Sequence, residues 1–288
     1  ETKVIEREPA GAYERRLIEY EAAPGERARA YLCIPSKATA AAAAPGVLVL
    51  HQTTAEGKRE SAGLAGDASL AFGAELAERG YVTLCPDSIA AGERVDPPRA
   101  FDTRKSYQRH PESSAMGKML SDARIALSVL AATPGVDANR LGAIGHSLGA
   151  ETALMLGAFD DRVSAVAASC GYATFRAEPN RLRWARDEWF SYMPRLRPVF
   201  QRGDLPHWDW DDVVRLVAPR PLYHHNTRED EIFPESASAH EAAETARAIW
   251  QLYDRPEGLI NVLRPGKHAI SPETKSEMYQ WLDRQLRP

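Results

Sequence analysis

Six short strand-like runs recur along the chain: GVLVLHQ (46–52), YVTLCPD (81–87), LGAIGH (141–146), VSAVAASC (163–170), RPLYHHN (220–226) and LINVLRPG (259–266). GVLVLHQ is continuously apolar, the pattern of a strand buried on both faces, and the others also read as strands. Helical spacing fills the gaps between most of them. In 116–133, Met116, Leu120, Ala123, Leu127 and Leu130 form one stripe, and 148–158 and 236–253 are also helical. ASLAFGAELAERG (68–80) reads as a helix ending at a glycine cap. Ser271 followed by Pro272 is a start signal for a last helix. Strands alternating with helices dictate an α/β chain: a mostly parallel, twisted sheet of about eight strands with helices on both faces. RLIEYEA (16–22) and ARAYLCIP (28–35), joined by the turn APGER, read as an opening antiparallel pair.

The 288 residues are expected to form a single domain, with one break in the alternation. Residues 172–217 carry four of the six tryptophans, Trp184, Trp189, Trp208 and Trp210, together with Phe175, Phe190 and Tyr192. So long a structureless loop is foreign to a compact domain, so the segment reads as an aromatic-rich, lid-like insertion over the strand ends. Trp184 and Trp189 are its candidate substrate-wall residues. Between Arg176 and Arg202 it holds seven arginines against three acids, in a chain of net charge −4. A solvated face with internal ion pairs is the plainer account of that bias, and attraction of an anionic ester the sharper one.

Several function classes drop out. The net negative charge gives no pull toward nucleic acid, and no run of 18 apolar residues exists to span a membrane. GAIGHSLGA lacks G-x-G-x-x-G, and no phosphate-loop G-K-[ST] occurs, which disfavours a nucleotide-binding domain. Histidine and cysteine spacing suggests no metal site, and the chemistry below needs no cofactor. Three cysteines, all in strand-like runs, are an odd number and form no disulfide framework. That leans toward a reducing, cytoplasmic setting. The chain starts at Glu1 rather than Met, so a removed leader and a secreted or periplasmic location stay open. The oligomeric state is unknown from sequence.

The chemistry centres on GHSLG (145–149). A serine forced into a tight strand-to-helix turn needs neighbours without side chains, and Gly145 and Gly149 flank Ser147 by two residues on each side. Such a turn lifts the hydroxyl above the sheet at a helix N-terminus, where unpaired amides favour developing negative charge. The plain reading of the same residues is a serine cap in a Gly-rich turn. A serine nucleophile needs a base and an orienting acid. Asp230, in TREDEIFP, is the candidate acid on its D-x-x-x-P spacing to Pro234, with Glu229 and Glu231 as flanking alternatives. His268, in the polar loop between the last strand and the last helix, is the candidate base. The backbone N–H of Leu148 and that of Thr53, in the loop HQTTAEG, are the candidate oxyanion donors. Gln52 is the reserve for Thr53 and a candidate substrate contact.

These residues in this order resemble the α/β-hydrolase superfamily over nearly the whole chain from about Leu17. VLVLHQTTAEGKRE, ELAERGYVTLCPD and APRPLYHHNTREDEIFP look like its branch of dienelactone-hydrolase-like proteins and acetyl-xylan-esterase-like carboxylesterases. The resemblance implies an α/β-hydrolase fold and a Ser147–Asp230–His268 triad. It also implies an activity on small-molecule carboxylic esters through an acyl-enzyme intermediate. One departure counts: dienelactone hydrolases use a cysteine nucleophile, and this chain has Ser147, which moves the expectation toward ordinary esters. An amidase or peptidase on the same triad, and a non-catalytic binding protein on the same fold, are the alternatives.

Overall fold

The computed structural model describes residues 2–96 and 99–287. Nine strands form one sheet: β1 (Lys3–Ala10), β2 (Tyr13–Ala23), β3 (Glu26–Pro35), β4 (Ala44–Leu50), β5 (Val82–Pro86), β6 (Val136–His146), β7 (Val163–Ser169), β8 (Leu222–Thr227) and β9 (Leu259–Arg264). Their spatial order is β1-β2-β3-β5-β4-β6-β7-β8-β9. The pairs from β1 through β3 to β5 are antiparallel, and those from β5 to β9 parallel. The α-helices are α1 (Lys58–Ser61), α2 (Phe72–Glu78), α3 (Arg104–Arg109), α4 (Ala115–Ala131), α5 (Leu148–Phe159), α6 (Arg197–Gln201), α7 (Trp210–Val217), α8 (Ala237–Leu252) and α9 (Pro272–Leu286). None is long and apolar enough to cross a membrane.

The central strands bury both faces, as their sequences require. Val47 and Val49 of β4 point into one core, with Phe72, Leu76, Met278 and Trp281 of α2 and α9. Leu48 and Leu50 point into the other, with Met119, Leu127, Leu154 and Trp250 of α4, α5 and α8. That alternation is the two-residue strand period read out as two hydrophobic layers. Ser271 caps α9 by accepting from the Thr274 N–H at 3.1 Å, with Pro272 in the first turn.

Three local expectations change. The sheet has nine strands rather than about eight, the addition being the exposed edge strand β1. The helix over 68–80 is split: Asp67 caps a single 3-10 turn at Ala68–Leu70, Ala71 leaves the helical region, and α2 begins at Phe72. The strand at 141–146 starts earlier, because the polar residues from Val136 pair along Ala44 and Pro45 of β4.

The chain between β7 and β8 carries short 3-10 turns at Arg181–Ala185 and Pro194–Leu196 and the helices α6 and α7. Its aromatic side chains pack on one another: Trp184 lies 5.3 Å from Trp210 and 5.7 Å from Phe175, and Tyr172 stacks on Trp210 at 5.0 Å, ring centre to ring centre. The arginines there are largely paired. Arg176 meets Asp209 and Asp211, Arg183 meets Glu178, Arg195 meets Glu112, Arg197 meets Asp187, and Arg202 meets Asp204. Several of these acids lie outside 176–202, so the local positive excess is offset by the rest of the fold.

Candidate active site

Ser147 occupies the turn between β6 and α5 with φ 53° and ψ −124°, a backbone region that costs a non-glycine residue roughly 1–3 kcal/mol. The turn is held on both sides. The Ser147 N–H donates to the Ser169 carbonyl of β7 at 2.8 Å, and its own carbonyl accepts from Ala150 and Glu151. The flanking glycines are required by contact. A Cβ on Gly149 would fall on the Leu50 carbonyl, with the carbonyl carbon at 2.7 Å. A Cβ on Gly145 would fall on the Gly149 carbonyl, with the Ala150 nitrogen at 2.8 Å. β4, the turn and α5 thus touch backbone to backbone, and Ser147 remains 8% exposed at the top of the sheet.

The loop after β8 brings in the acids, and the three differ in what they hold. Asp230 is 2% exposed, and its Oδ2 meets His268 Nδ1 at 2.8 Å. Its Oδ1 accepts from the Ile232 and Phe233 N–H groups at 2.9 and 2.7 Å, which fixes the carboxylate plane. Glu231 accepts from the His268 backbone N–H at 3.0 Å, and Glu229 from that of Gly266 at 2.5 Å. One acid holds the imidazole and its neighbours hold the loop that carries it. The His268 ring packs 4.8 Å from the ring of His146, the residue preceding Ser147, and 5.7 Å from Phe233. With Nδ1 engaged by Asp230, Nε2 is the nitrogen left to accept a proton.

The loop after β4 is pinned from below. His51 is buried; its Nδ1 donates to the Gln52 carbonyl at 2.6 Å and its Nε2 accepts from the Ser88 N–H at 3.0 Å, an arrangement of neutral imidazole, and burial lowers its pKa. Lys58, 1% exposed, reaches Asp87 at 2.6 Å and Glu93 at 2.7 Å. Thr53 stands exposed on this loop. Among the described residues, neither its N–H nor that of Leu148, the first residue of α5, donates to a protein acceptor. The Gln52 side chain is otherwise occupied, donating to Glu60 at 3.1 Å. Trp184 is fully buried among its aromatic neighbours, whereas Trp189 lies at the segment's edge, half-buried, with the Arg99 guanidinium 5.0 Å over its ring.

Features that sequence reasoning missed lie beside these. His146 Nδ1 and His225 Nδ1 both bond the Ser169 hydroxyl at 3.0 Å, a fully buried trio. Burial lowers the His225 pKa to about 4 and holds that of His146 well below its usual value. Cys170 follows at φ 52°; burial, then the Asp230 charge, push its thiol up to about 12. Its Sγ, the Asp230 carboxylate and a His268 nitrogen lie within 4.8 Å of one another. Because the acid and imidazole are bonded to each other and the thiol keeps its proton, this donor set is that of a hydrogen-bonded pair rather than a prepared metal cage. Glu151, one turn along α5 from Ser147, is buried, and its Oε2 has no partner. A helix with a single charged residue among largely apolar ones was the available signal for it.

The model of the dienelactone hydrolase family matches residues 28–184. YtaP of Bacillus subtilis (strain 168), which carries a hydrolase name, is 25% identical over 202 residues, 68% of this chain and 63% of that protein, so the match spans less than two thirds of this relative. A solved glucuronoyl esterase from Solibacter usitatus superposes with a TM-score of 0.73 at 18% identity, covering 99% of this chain and 86% of that one. An acetyl xylan esterase from Paenibacillus sp. R4 does so with a TM-score of 0.68 at 16% identity, covering 99% and 88%. At such identities the two structures speak for the α/β-hydrolase fold alone.

Proposed function

Because this chain belongs to the dienelactone hydrolase family, we propose that it is a serine carboxylesterase in which Ser147, His268 and Asp230 form the triad. His268, oriented by Asp230, takes the Ser147 proton as the oxygen attacks an ester carbonyl. The N–H groups of Leu148 and Thr53 receive the oxyanion of the tetrahedral intermediate. The alcohol leaves with the proton from His268. A water deprotonated by the same ring then hydrolyses the acyl-enzyme, which returns the proton to Ser147. Residues 172–217 act as a lid-like insertion whose aromatic side chains wall the substrate side. Relatives bearing hydrolase and esterase names agree with an ester substrate.

The observation carrying this reading is the 2.8 Å Asp230–His268 bond on a ring packed against the residue before a strained serine. It is tested by labelling with a fluorophosphonate and by turnover of p-nitrophenyl acetate. Wild type should label once, at Ser147. Ser147→Ala should lose the label and lower kcat by about 10³-fold or more. Undiminished turnover in that variant would remove Ser147 from the chemistry.

A further inference from the structure

The residue that follows β4 ties its own loop down. His51 is 5% exposed and uses both ring nitrogens. Nε2 lies 3.0 Å from the Ser88 N–H, a group that can only donate, so this nitrogen carries no proton. The neutral ring then keeps its proton on Nδ1, which donates to the Gln52 carbonyl at 2.6 Å. Burial, the largest influence on this imidazole, favours the neutral form. The Ser88 amide thereby selects the tautomer that grips Gln52.

The Gln52 carbonyl is half of a peptide unit whose other half is the Thr53 N–H. That unit is trans: among the described residues the cis bond is Ala218–Pro219. A trans peptide is planar, with its C=O and N–H on opposite sides, and only the soft dihedrals that flank it can rotate it. Holding the carbonyl toward the His51 ring therefore turns the Thr53 N–H away from that ring, where it meets no protein acceptor among the described residues.

The same residue faces the serine turn. A Cβ on Gly149 would lie 3.0 Å from the His51 carbonyl oxygen, so the His51 backbone abuts the turn that carries Leu148, the other candidate oxyanion donor. His51, Ser88 and Leu148 also line one small cavity of about 20 Å³, with room for about one water and none for a second position of an imidazole. The Gln52 side chain is held separately, by Glu60 at 3.1 Å. Ser88 follows Asp87, whose carboxylate takes the Lys58 N–H at 2.8 Å and the Lys58 ammonium at 2.6 Å. The ring is braced between two fixed loops.

Resting on the reading of Thr53 as an oxyanion donor, we infer that His51 is a positioning residue for the reaction. Its ring, held in one tautomer by the Ser88 amide, fixes the Gln52–Thr53 peptide so that the Thr53 N–H is presented to the oxyanion before substrate arrives. A donor already aimed costs no reorganisation when the charge develops.

His51→Asn and His51→Gln divide the two ring bonds between them. An asparagine amide reaches about as far as Nδ1 and can donate to the Gln52 carbonyl; a glutamine amide reaches about as far as Nε2 and can accept from Ser88. Rates on p-nitrophenyl acetate are normalised to fluorophosphonate-titrated sites. His51→Gln should lower kcat about 10–100-fold with KM within about threefold, less than the ~10²–10³-fold lost when such a donor is removed outright. His51→Asn should return most of that rate. An aryl trifluoromethyl ketone forms a serine adduct whose oxygen sits where the oxyanion would, so its Ki should rise in His51→Gln by about the factor lost in kcat. Each variant gives up one ring bond, so a role confined to stability would lower both melting temperatures and leave the two kcat values alike. That result, or a Ki unchanged while kcat falls, overturns the inference and leaves the esterase reading intact. Wild type inert toward both the ester and the fluorophosphonate removes the esterase reading, and the inference falls with it.

Discussion

Gly149→Ala is a test of the site in which the structure supplies the magnitude. The new methyl would fall on the Leu50 carbonyl, 2.7 Å from its carbon and 3.0 Å from the His51 oxygen. Carbon atoms rest about 3.5–4.0 Å apart. The neighbours are backbone of β4 and of the loop carrying Thr53, so nothing can swing aside. α5 and β4 must separate by about 1 Å, and Ser147 and the Leu148 amide ride on α5. A misplacement of that size costs about 100-fold in rate, or about 2.7 kcal/mol of transition-state stabilisation. Overpacking costs a further ~1–3 kcal/mol of stability.

Gly142→Ala is the matched control on β6. Its methyl would meet the Leu286 Cδ1 at 2.8 Å, the tip of a side chain that can turn away. kcat/KM for p-nitrophenyl acetate, normalised to fluorophosphonate-titrated sites, should drop about 100-fold in Gly149→Ala and stay within about threefold in Gly142→Ala. Equal rates in the two variants would refute the argument that backbone contact sets the turn.

Two further predictions follow from the hydrogen bonds around the site. In Asp230→Asn the amide oxygen can keep the Ile232 and Phe233 bonds, turning its NH₂ toward His268. That forces the ring proton onto Nε2, the nitrogen needed as base, so kcat should fall about 10³–10⁴-fold at an unchanged melting temperature; a loss below tenfold would count against the assignment. Burial lowers His224 and His225 to about 4, from the ordinary histidine value of about 6.5. The unfolded chain then takes up protons first, and stability is lost as pH falls from about 6.5 toward 4. By pH 4.5 each ring removes about 2–3 kcal/mol. The urea midpoint should therefore fall between pH 7 and 4.5, and by less in His225→Gln; an identical fall in that variant would remove its ring from the account.

Legibility in the sequence followed local dominance. Strand β4 was readable because burial on both faces leaves a continuous apolar run, β5 through β9 because short strand-like runs alternate with helical spacing, and α4 because its stripe repeats at helical spacing. β1 was not: KVIEREPA has no apolar face, is mostly exposed, and is a strand only through its pairing with β2. The glycines around Ser147 were legible because a tight turn excludes side chains whatever surrounds it. Among Glu229, Asp230 and Glu231, the spacing to Pro234 pointed to Asp230 but left its neighbours open, since adjacent acids differ only in where one loop aims them. Gln52 illustrates the same limit, its side chain being drawn to Glu60 by a fold not visible in the motif. Glu151 escaped notice because a glutamate reads as solvent-facing until the segment after β7 is laid over it.

The buried trio of His146, Ser169 and His225, with the Cys170 thiol, forms an electrically silent floor next to the Asp230–His268 pair. Both of its imidazoles resist protonation and its thiol resists ionisation. In the proposed cycle the 268 ring takes on positive charge, and nothing in that floor can share or cancel it. On that reading Asp230 is the carboxylate that holds the charged ring in place, and the proton taken from serine has no downward escape before the leaving alcohol collects it.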